Sequence, residues 1–239
     1  MSRILPLRLE RVGYAAGGKT LVHDLDVMFE EGPRTVILGP NGAGKSLTLR
    51  LCHGLIQPTT GRIVWQGAAS ASAQRRQAMV FQRPVMLRRS VAANVDYALA
   101  LAGVAAAERR ARIADALEQT RLADLADRPA RVLSIGEQQR LALARVWALQ
   151  VEIVFLDEPT ASLDPGATRA VEAIVNAMDA AGTKIVMTTH DLGQARRMAD
   201  EILFLHQGRL IERAPVDEFF ARPRTREAQA FVRGELLPI

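Results

Sequence analysis

The chain has 239 residues, of which 49% are apolar and 24% are charged, and it carries a net charge of +5. This composition is typical of a globular protein with one large core or two packed subdomains. The single cysteine, Cys52, excludes an internal disulfide, and we interpret it as a small core residue in a reducing compartment. The first residues lack a signal-peptide pattern, and no apolar stretch reaches the length of a membrane span. We therefore expect a cytoplasmic protein.

The positive charge comes almost wholly from arginine, because Lys19, Lys45 and Lys184 are the only lysines. A basic surface can serve nucleic acid or an anionic membrane face. The arginines are scattered among acidic residues, however, and few aromatic side chains are available to stack on bases. We therefore expect no nucleic-acid partner.

Short strand-like runs and turns fill the first part of the chain. Strands are predicted at residues 7–11, 25–29, 35–38 and 62–65. Turns are predicted at residues 17–18, 31–32 and 60–61. This part of the chain therefore predicts a small N-terminal β region.

A phosphate-loop pattern, G-x-x-x-x-G-K-[ST], follows the strand at residues 35–38 and precedes a predicted helix at 46–52. Glycines let successive backbone N–H groups face a phosphate, and the helix dipole favours the negative charge. Lys45 is expected to reach the β- and γ-phosphates, and the Ser46 hydroxyl to ligate Mg²⁺. The alternative interpretation is a glycine-rich turn before an ordinary helix. The predicted ATP-binding residues here are Gly39, Pro40, Asn41, Gly42, Ala43, Gly44, Lys45, Ser46 and Leu47.

Residues 84–150 are richer in Ala, Leu and Arg than the rest, and helices are predicted at 108–122 and 135–149. Ser134 and Glu137 have the spacing of a capping box, in which each satisfies backbone groups of the other. A capped helix start with an exposed serine and glycine can also receive an anion. In isolation, however, the pattern indicates only a well-capped helix.

The last third of the chain alternates strands and helices. A predicted strand at residues 153–156 leads to Asp157, which can hold Mg²⁺, and to Glu158, which can polarise an attacking water. Asp164 and Pro165 predict a helix start. The remaining predicted elements are a helix ending at Gly182, a strand at 184–189, a helix at 191–199, and strands at 201–205 and 209–212 around a turn at 206–208. The whole pattern predicts an α/β nucleotide-binding core with a helical insert.

The order of the motifs resembles that of the ATP-binding subunits of ABC transporters. The phosphate loop is followed by Phe-Gln, Leu-Ser-x-Gly, Leu-Asp-Glu-Pro, Ser-Leu-Asp and Thr-Thr-His, so the resemblance spans about residues 5–212. It implies the ABC ATPase fold: one α/β domain with an N-terminal antiparallel β subdomain and an inserted α-helical subdomain. The expected boundaries are a phosphate-loop core at about residues 1–82 and 151–239, with the helical subdomain at about 83–150.

The resemblance also implies roles for individual residues. Tyr14 matches the aromatic that stacks on adenine, although a surface tyrosine near a turn is the alternative interpretation. Glu158 matches the general base, His190 the switch histidine at the γ-phosphate, and Gln82 the glutamine that senses Mg²⁺ and the attacking water. The implied Mg²⁺ ligands are Ser46, Gln82 and Asp157.

In that family, the signature helix of one subunit caps the ATP held by another. The residues implied to act in this way are Ser134, Gly136, Glu137 and Asp164. The implied working unit is a homodimer or a pair with a similar ATPase chain. The usual signature is Leu-Ser-Gly-Gly-Gln, and Ile135 and Glu137 depart from it. A β-branched residue excludes positive φ, so either the loop takes helical dihedrals at Ile135 or hydrolysis is slowed, and we expect the former. Leu47 also departs from the family, which often has a second hydroxyl there.

The family resemblance implies membrane partners. No membrane helix is fused to this sequence, so we expect separate integral permease subunits, a solute-binding protein that is periplasmic or lipid-anchored, and a peripheral location on the inner face of the cell membrane. Residues 81–95, with Met86 and Leu87 expected to be exposed, are the expected docking segment. These residues and 231–237 look most like the ATPases of tungstate and related oxyanion importers. The alternatives are an amino-acid or phosphate importer, and a lipoprotein-release or cell-division complex.

Overall fold

An antiparallel sheet of order β2-β1-β4 lies at one side of the molecule in the computed structural model, which describes residues 4–66, 73–74 and 76–235. Its strands are β1 (Leu7–Ala16), β2 (Lys19–Phe29) and β4 (Thr60–Trp65). Alternate β1 side chains such as Leu7 and Leu9 are buried, which is the period-2 pattern of a half-buried strand. The turn predicted at residues 60–61 is wrong, since both residues belong to β4. Gly61 has a φ of 74° there, at a bulge against Arg11.

A larger sheet of six described strands has the order β5-β6-β7-β3-β8-β9. All neighbours pair in parallel except the last two, which form an antiparallel hairpin. The strands are β3 (Thr35–Leu38), β5 (Gln77–Val80), β6 (Ile153–Asp157), β7 (Lys184–Thr189), β8 (Glu201–His206) and β9 (Arg209–Pro215). Strands β3, β6 and β7 are buried along their whole length because both faces of the sheet are covered.

The two faces of the large sheet bury separate apolar clusters. One cluster joins the sheet to the antiparallel sheet and to helix α1 (Lys45–His53), and it contains Cys52, which is buried as predicted. The other cluster packs the opposite face against the later helices. These are α5 (Pro165–Ala180), α6 (Leu192–Met198), α7 (Val216–Ala221) and α8 (Arg226–Val232). Asp164 caps α5 as predicted, accepting hydrogen bonds from the Gly166 and Ala167 amides at 2.7 and 2.9 Å.

A third apolar cluster lies among the helices between β5 and β6. They are α2 (Val91–Leu101), α3 (Ala106–Gln119) and α4 (Ile135–Leu149), with 3₁₀ turns at Ala123–Leu125 and Ala130–Val132. Helix α4 was predicted with these bounds, but α3 ends three residues earlier than predicted because Arg121 has a φ of 55°. Helix α4 buries one side in this cluster and the other against the large sheet. It therefore connects the helical region to the core.

None of the described helices is long and apolar enough to cross a membrane. The parallel strands β5, β6, β7 and β3 are neighbours, so their carboxyl ends meet at one edge of the sheet. Every loop that leaves this edge is brought close to the others, and the candidate site lies there.

Candidate nucleotide-binding site

The loop between β3 and α1 has the backbone of a phosphate cradle. Gly44 precedes the helix with a φ of 95°, and no side chain of the described residues caps the first turn. That turn also carries no acidic residue, so its N–H groups and dipole are available to an anion. Gly39 passes so close to β8 that a Cβ there would overlap the Leu205 carbonyl oxygen. A side chain at this position would therefore push the loop off the sheet.

Lys45 lies under the loop with its charge held by oxygen atoms. Its Nζ donates to the carbonyl oxygens of Gly39 at 2.8 Å and Pro40 at 3.0 Å, and lies 3.4 Å from Glu158 Oε1. Only 5% of the residue is exposed. Burial lowers the pKa of Lys45, and the nearby Glu158 carboxylate opposes that shift. The lysine is thus a buried cation poised beside the cradle.

Ser46 and Asp157 place oxygen atoms side by side next to the loop. The Ser46 hydroxyl donates to Asp157 Oδ1 at 2.7 Å, and the Thr188 hydroxyl donates to the same oxygen at 2.9 Å. The register that pairs Asp157 with Thr188 across β6 and β7 produces this contact. A hydroxyl and a carboxylate are hard oxygen ligands of the kind Mg²⁺ takes beside phosphate oxygens, so these residues fit the ion.

Glu158 follows Asp157 with a φ of 45°, a left-handed conformation uncommon for a residue with a side chain. Its amide donates to the Thr188 hydroxyl at 3.0 Å, which fixes the backbone. The two carboxylate oxygens contact different residues: Oε1 faces the Lys45 Nζ, and Oε2 lies 3.1 Å from His190 Nδ1. His190 follows β7, and its side chain is half exposed at the mouth of the pocket. The arrangement places a carboxylate where it can act on a group bound at the loop.

These residues surround one open pocket of about 580 Å³. Its lining residues are Leu21, Asn41, Gly42, Ala43, Gly44, Lys45, Ser46, Leu47, Gln82, Glu158 and His190. The structure thus brings together the predicted loop residues and the three predicted catalytic side chains. Gly39 and Pro40 do not line the pocket, but their carbonyl oxygens accept hydrogen bonds from Lys45, and Asp157 lies behind Ser46.

The family model described as ABC transporter matches residues 22–161, more than half of the chain. The chain belongs to the ABC transporter family. It is the ATP-binding domain of that family, and it is an ATPase. The family membership predicted from the order of the motifs is therefore confirmed.

Three relatives show how widely the likeness extends. The phosphate import ATP-binding protein PstB 2 of Natronomonas pharaonis is 34% identical over 97% of this chain and 87% of that protein. The tungstate uptake system ATP-binding protein TupC of Peptoclostridium acidaminophilum is 37% identical over 85% and 94%. The ferric ion import ATP-binding protein FbpC of Pasteurella multocida is 35% identical over 92% and 64%.

The fold is also that of solved structures. CbiO1 from Clostridium perfringens, part of the ABC transporter complex CbiONQ, superimposes with a TM-score of 0.82 at 28% identity, over 99% of this chain and 96% of that one. The predicted ABC ATPase fold is therefore confirmed.

The signature segment of this ABC ATPase lies outside its own pocket. Ser134 and Glu137 form the predicted capping box: the Ser134 amide and hydroxyl donate to Glu137 Oε2 at 2.8 and 2.7 Å, and the Glu137 amide donates to Ser134 Oγ at 3.3 Å. The hydrogen bonds from Ser134 lower the pKa of Glu137. Ile135 is the first residue of α4 and does not have a positive φ, so the expectation of ordinary helical dihedrals is confirmed. Gly136 lies against Ala167 of α5.

The position of Tyr14 gives no support to its predicted role. Tyr14 is half-buried in β1, paired with Val22 of β2, and does not line the pocket. Leu21 lines it instead, and sequence reasoning missed this residue. The sequence did carry a signal for Leu21. Leu21 and Val22 are adjacent apolar residues in one strand, so they break the period-2 alternation and one of the two side chains must face away from the core.

A groove lies beside the segment that follows Gln82 in this ABC ATPase, between β5 and α4. The expectation that Met86 is exposed is wrong: Met86 is 7% exposed and packs in the helical cluster, and Leu87 is half-buried. Val85 is exposed instead, at 74%. Arg145 lines the groove and donates to the Val85 carbonyl oxygen at 3.0 Å, and burial lowers its pKa. The groove therefore presents an apolar wall with a desolvated cation.

Proposed function

We propose that this chain hydrolyses ATP to power solute uptake through separate membrane subunits. The observation that carries this proposal is that relatives matched over most of the chain are named for import, whichever solute they serve. Lys45, Ser46, Glu158 and His190 surround one pocket, which is the arrangement phosphoryl transfer from ATP requires.

The proposed chemistry begins with the cradle. Backbone N–H groups of the loop and the start of α1 bind the phosphates, and Lys45 neutralises charge that builds up on the γ-phosphate. A bound Mg²⁺, held by Ser46, by Asp157 and on the pocket side by Gln82, would neutralise phosphate charge. Glu158 accepts a proton from the attacking water. His190 orients the Glu158 carboxylate through the 3.1 Å contact and reaches the γ-phosphate from the rim.

The proposed working unit contains two copies of the chain or one copy and a similar ATPase. Ser134, Gly136, Glu137 and Asp164 lie outside the chain's own pocket, which is the arrangement needed if they cap ATP held by a second subunit. Two apolar side chains flank Ser134 and are strongly exposed, Val132 at 68% and Ile135 at 62%. A second subunit placed there would remove this apolar surface from water.

The groove with Phe81, Val85 and Arg145 is the proposed contact with an integral permease subunit. An apolar wall with one charged group suits a short amphipathic element of a membrane protein. Binding there would place the ATPase on the inner face of the membrane. A solute-binding protein, periplasmic or lipid-anchored, would complete an importer.

For the solute we propose tungstate or a related oxyanion. The support is the likeness to the tungstate uptake protein, joined by the likeness to a phosphate importer, since both solutes are oxyanions. The ferric ion relative shows that similar chains serve other solutes. The closing segment adds little, because Phe231 is explained by packing on Phe204 at 5.1 Å, and Leu236 and Leu237 lie outside the described residues.

The test is accumulation of elements in host cells that carry either the wild type or Glu158→Gln in place of the native copy. Tungstate, molybdate, phosphate and sulfate are supplied in turn and measured by mass spectrometry. Loss of tungstate uptake alone supports the proposed solute and the import direction. Unchanged uptake of every oxyanion contradicts the solute and favours amino-acid import or a lipoprotein-release complex.

A further inference from the structure

The turn of the β8–β9 hairpin, residues 207–208, lies directly behind the phosphate loop. The Gly208 amide donates to the Ala43 carbonyl oxygen of the loop at 3.0 Å. The Gly208 carbonyl oxygen accepts from the His23 amide of β2 at 2.8 Å. Gly208 therefore joins two segments far apart in the sequence, the phosphate loop and the strand that carries Leu21 into the pocket.

The space around Gly208 admits no side chain. A Cβ there would overlap the Leu21 carbonyl oxygen and lie 3.1 Å from the ring of His23. The residue also has a φ of 72°, in the left-handed region that favours glycine. On the loop side, a Cβ built on Gly44 would be 3.4 Å from the Gly208 Cα, so the hairpin turn and the loop are separated by little more than the width of a methyl group. A residue without a side chain is therefore needed at 208, between the loop and the Leu21 backbone, where the loop itself also comes close: a Cβ on Gly44 would be 3.3 Å from the Leu21 carbonyl oxygen.

We propose that Gly208 is a positioning residue for nucleotide binding, although it does not line the pocket. It holds the phosphate loop at the distance from β2 at which the loop and Leu21 can bind one nucleotide together. A side chain at 208 must move either the loop or Leu21, and either movement widens the pocket and breaks a hydrogen bond of the turn. The inference rests on the proposal that ATP binds at this loop.

The test compares three variants by titration with Mg-ADP, which occupies the loop without turnover. Gly208→Ala adds both the overlap and the backbone strain. Gly208→Asn keeps the overlap but relieves part of the strain, since asparagine tolerates left-handed φ. Gly234→Ala is the matched control, because Gly234 has the same φ of 72° with nothing within 4 Å of the added Cβ. Each is measured well below its own melting temperature, so that only folded protein is compared.

Both Gly208 variants are expected to raise the Kd for Mg-ADP at least tenfold, while Gly234→Ala stays within twofold of the wild type. A residue with a merely structural role would lower the melting temperature and leave the Kd of the folded protein unchanged. That result for Gly208 overturns the inference. Failure of the proposed site itself is distinguishable, because then the wild type would bind no Mg-ADP, or Lys45→Ala would bind it as well as the wild type does.

Hydrogen exchange on the wild type covers the case in which the Gly208 variants do not fold. Mg-ADP is expected to protect the peptide spanning residues 205–210 together with the phosphate loop, although Gly208 does not line the pocket. The turn at Gly182 precedes β7, at the amino ends of the parallel strands and away from the pocket, and serves as the control. Its hydrogen exchange should not change when Mg-ADP binds. Protection of the loop with no protection of residues 205–210 contradicts the inference.

Discussion

Replacing Glu158 by glutamine separates catalysis from binding, because the amide keeps the size of the carboxylate and removes its charge and basicity. Glu158 has the position of a general base, 3.1 Å from His190 and at the wall of the pocket. General-base catalysis contributes about 10²–10⁴-fold in rate. We therefore expect kcat for ATP hydrolysis to fall by about that factor.

The same substitution should tighten ATP binding. Glu158 lies 3.4 Å from the Lys45 Nζ, and both groups are largely buried. At an effective dielectric constant of about 20, that separation corresponds to a gross attraction of about 5 kcal/mol, most of which desolvation offsets. ATP phosphates must compete with this carboxylate for Lys45 and are also repelled by it. If loss of the carboxylate charge makes ATP binding about 1 kcal/mol more favourable, the Kd for Mg-ATP falls about fivefold.

The assay measures phosphate release for kcat and calorimetric titration of Mg-ATP for the Kd. Glu172→Gln is the matched control, because Glu172 is also buried and paired with an arginine, at 2.8 Å from Arg197, but does not line the pocket. The kcat and the Kd of Glu172→Gln should stay within about twofold of the wild-type values. A Glu158→Gln enzyme that keeps more than a tenth of its kcat, or that binds Mg-ATP more weakly than the wild type, refutes the reasoning.

Three further variants test other parts of the molecule. Asp157→Asn should raise the Mg²⁺ concentration for half-maximal ATPase activity about 10–100-fold, because it removes the charge behind Ser46, and an unchanged Mg²⁺ titration contradicts this. Ile135→Gly should keep or raise ATPase activity, since Ile135 is exposed and helical; a tenfold loss would show that the isoleucine is needed. Burial lowers the pKa of Lys184 to about 8 from 10.5, so the unfolded chain binds more protons between these pH values and stability should rise with pH there. Lys184→Met should remove that rise in melting temperature between pH 8 and 10, and an identical slope in both proteins speaks against it.

Local patterns in the sequence predicted much of the site. The phosphate loop, the Ser134–Glu137 capping box and the Asp164 cap depend on residues a few positions apart, so their spacing alone defines the contacts. The buried strands β3, β6 and β7 were equally visible, because continuous apolar runs between turns indicate strands of a covered parallel sheet.

The parts that sequence reasoning missed depend on contacts between distant segments. Thr188 donates to Asp157 and accepts from the Glu158 amide, and this follows from the register of β6 and β7. Met86 is buried only because three helices fold over it. Leu21 reaches the pocket because the antiparallel sheet lies beside the loop. No spacing rule within one segment gives these contacts; for Leu21, the adjacent apolar pair with Val22 indicates only that one of the two side chains leaves the core, not that it enters the pocket. The division of the chain into core and helical subdomain stays a prediction.

The proposal that ATP is held between two chains is tested most directly by the mass in solution of Glu158→Gln, measured by size exclusion with light scattering in saturating Mg-ATP. The account predicts twice the 26.1 kDa chain mass with ATP and a single chain mass without it. Adding Ser134→Arg should return the protein to a single chain that still binds ATP, because Ser134 lies outside the chain's own pocket. A single chain mass for Glu158→Gln with ATP bound contradicts the shared site.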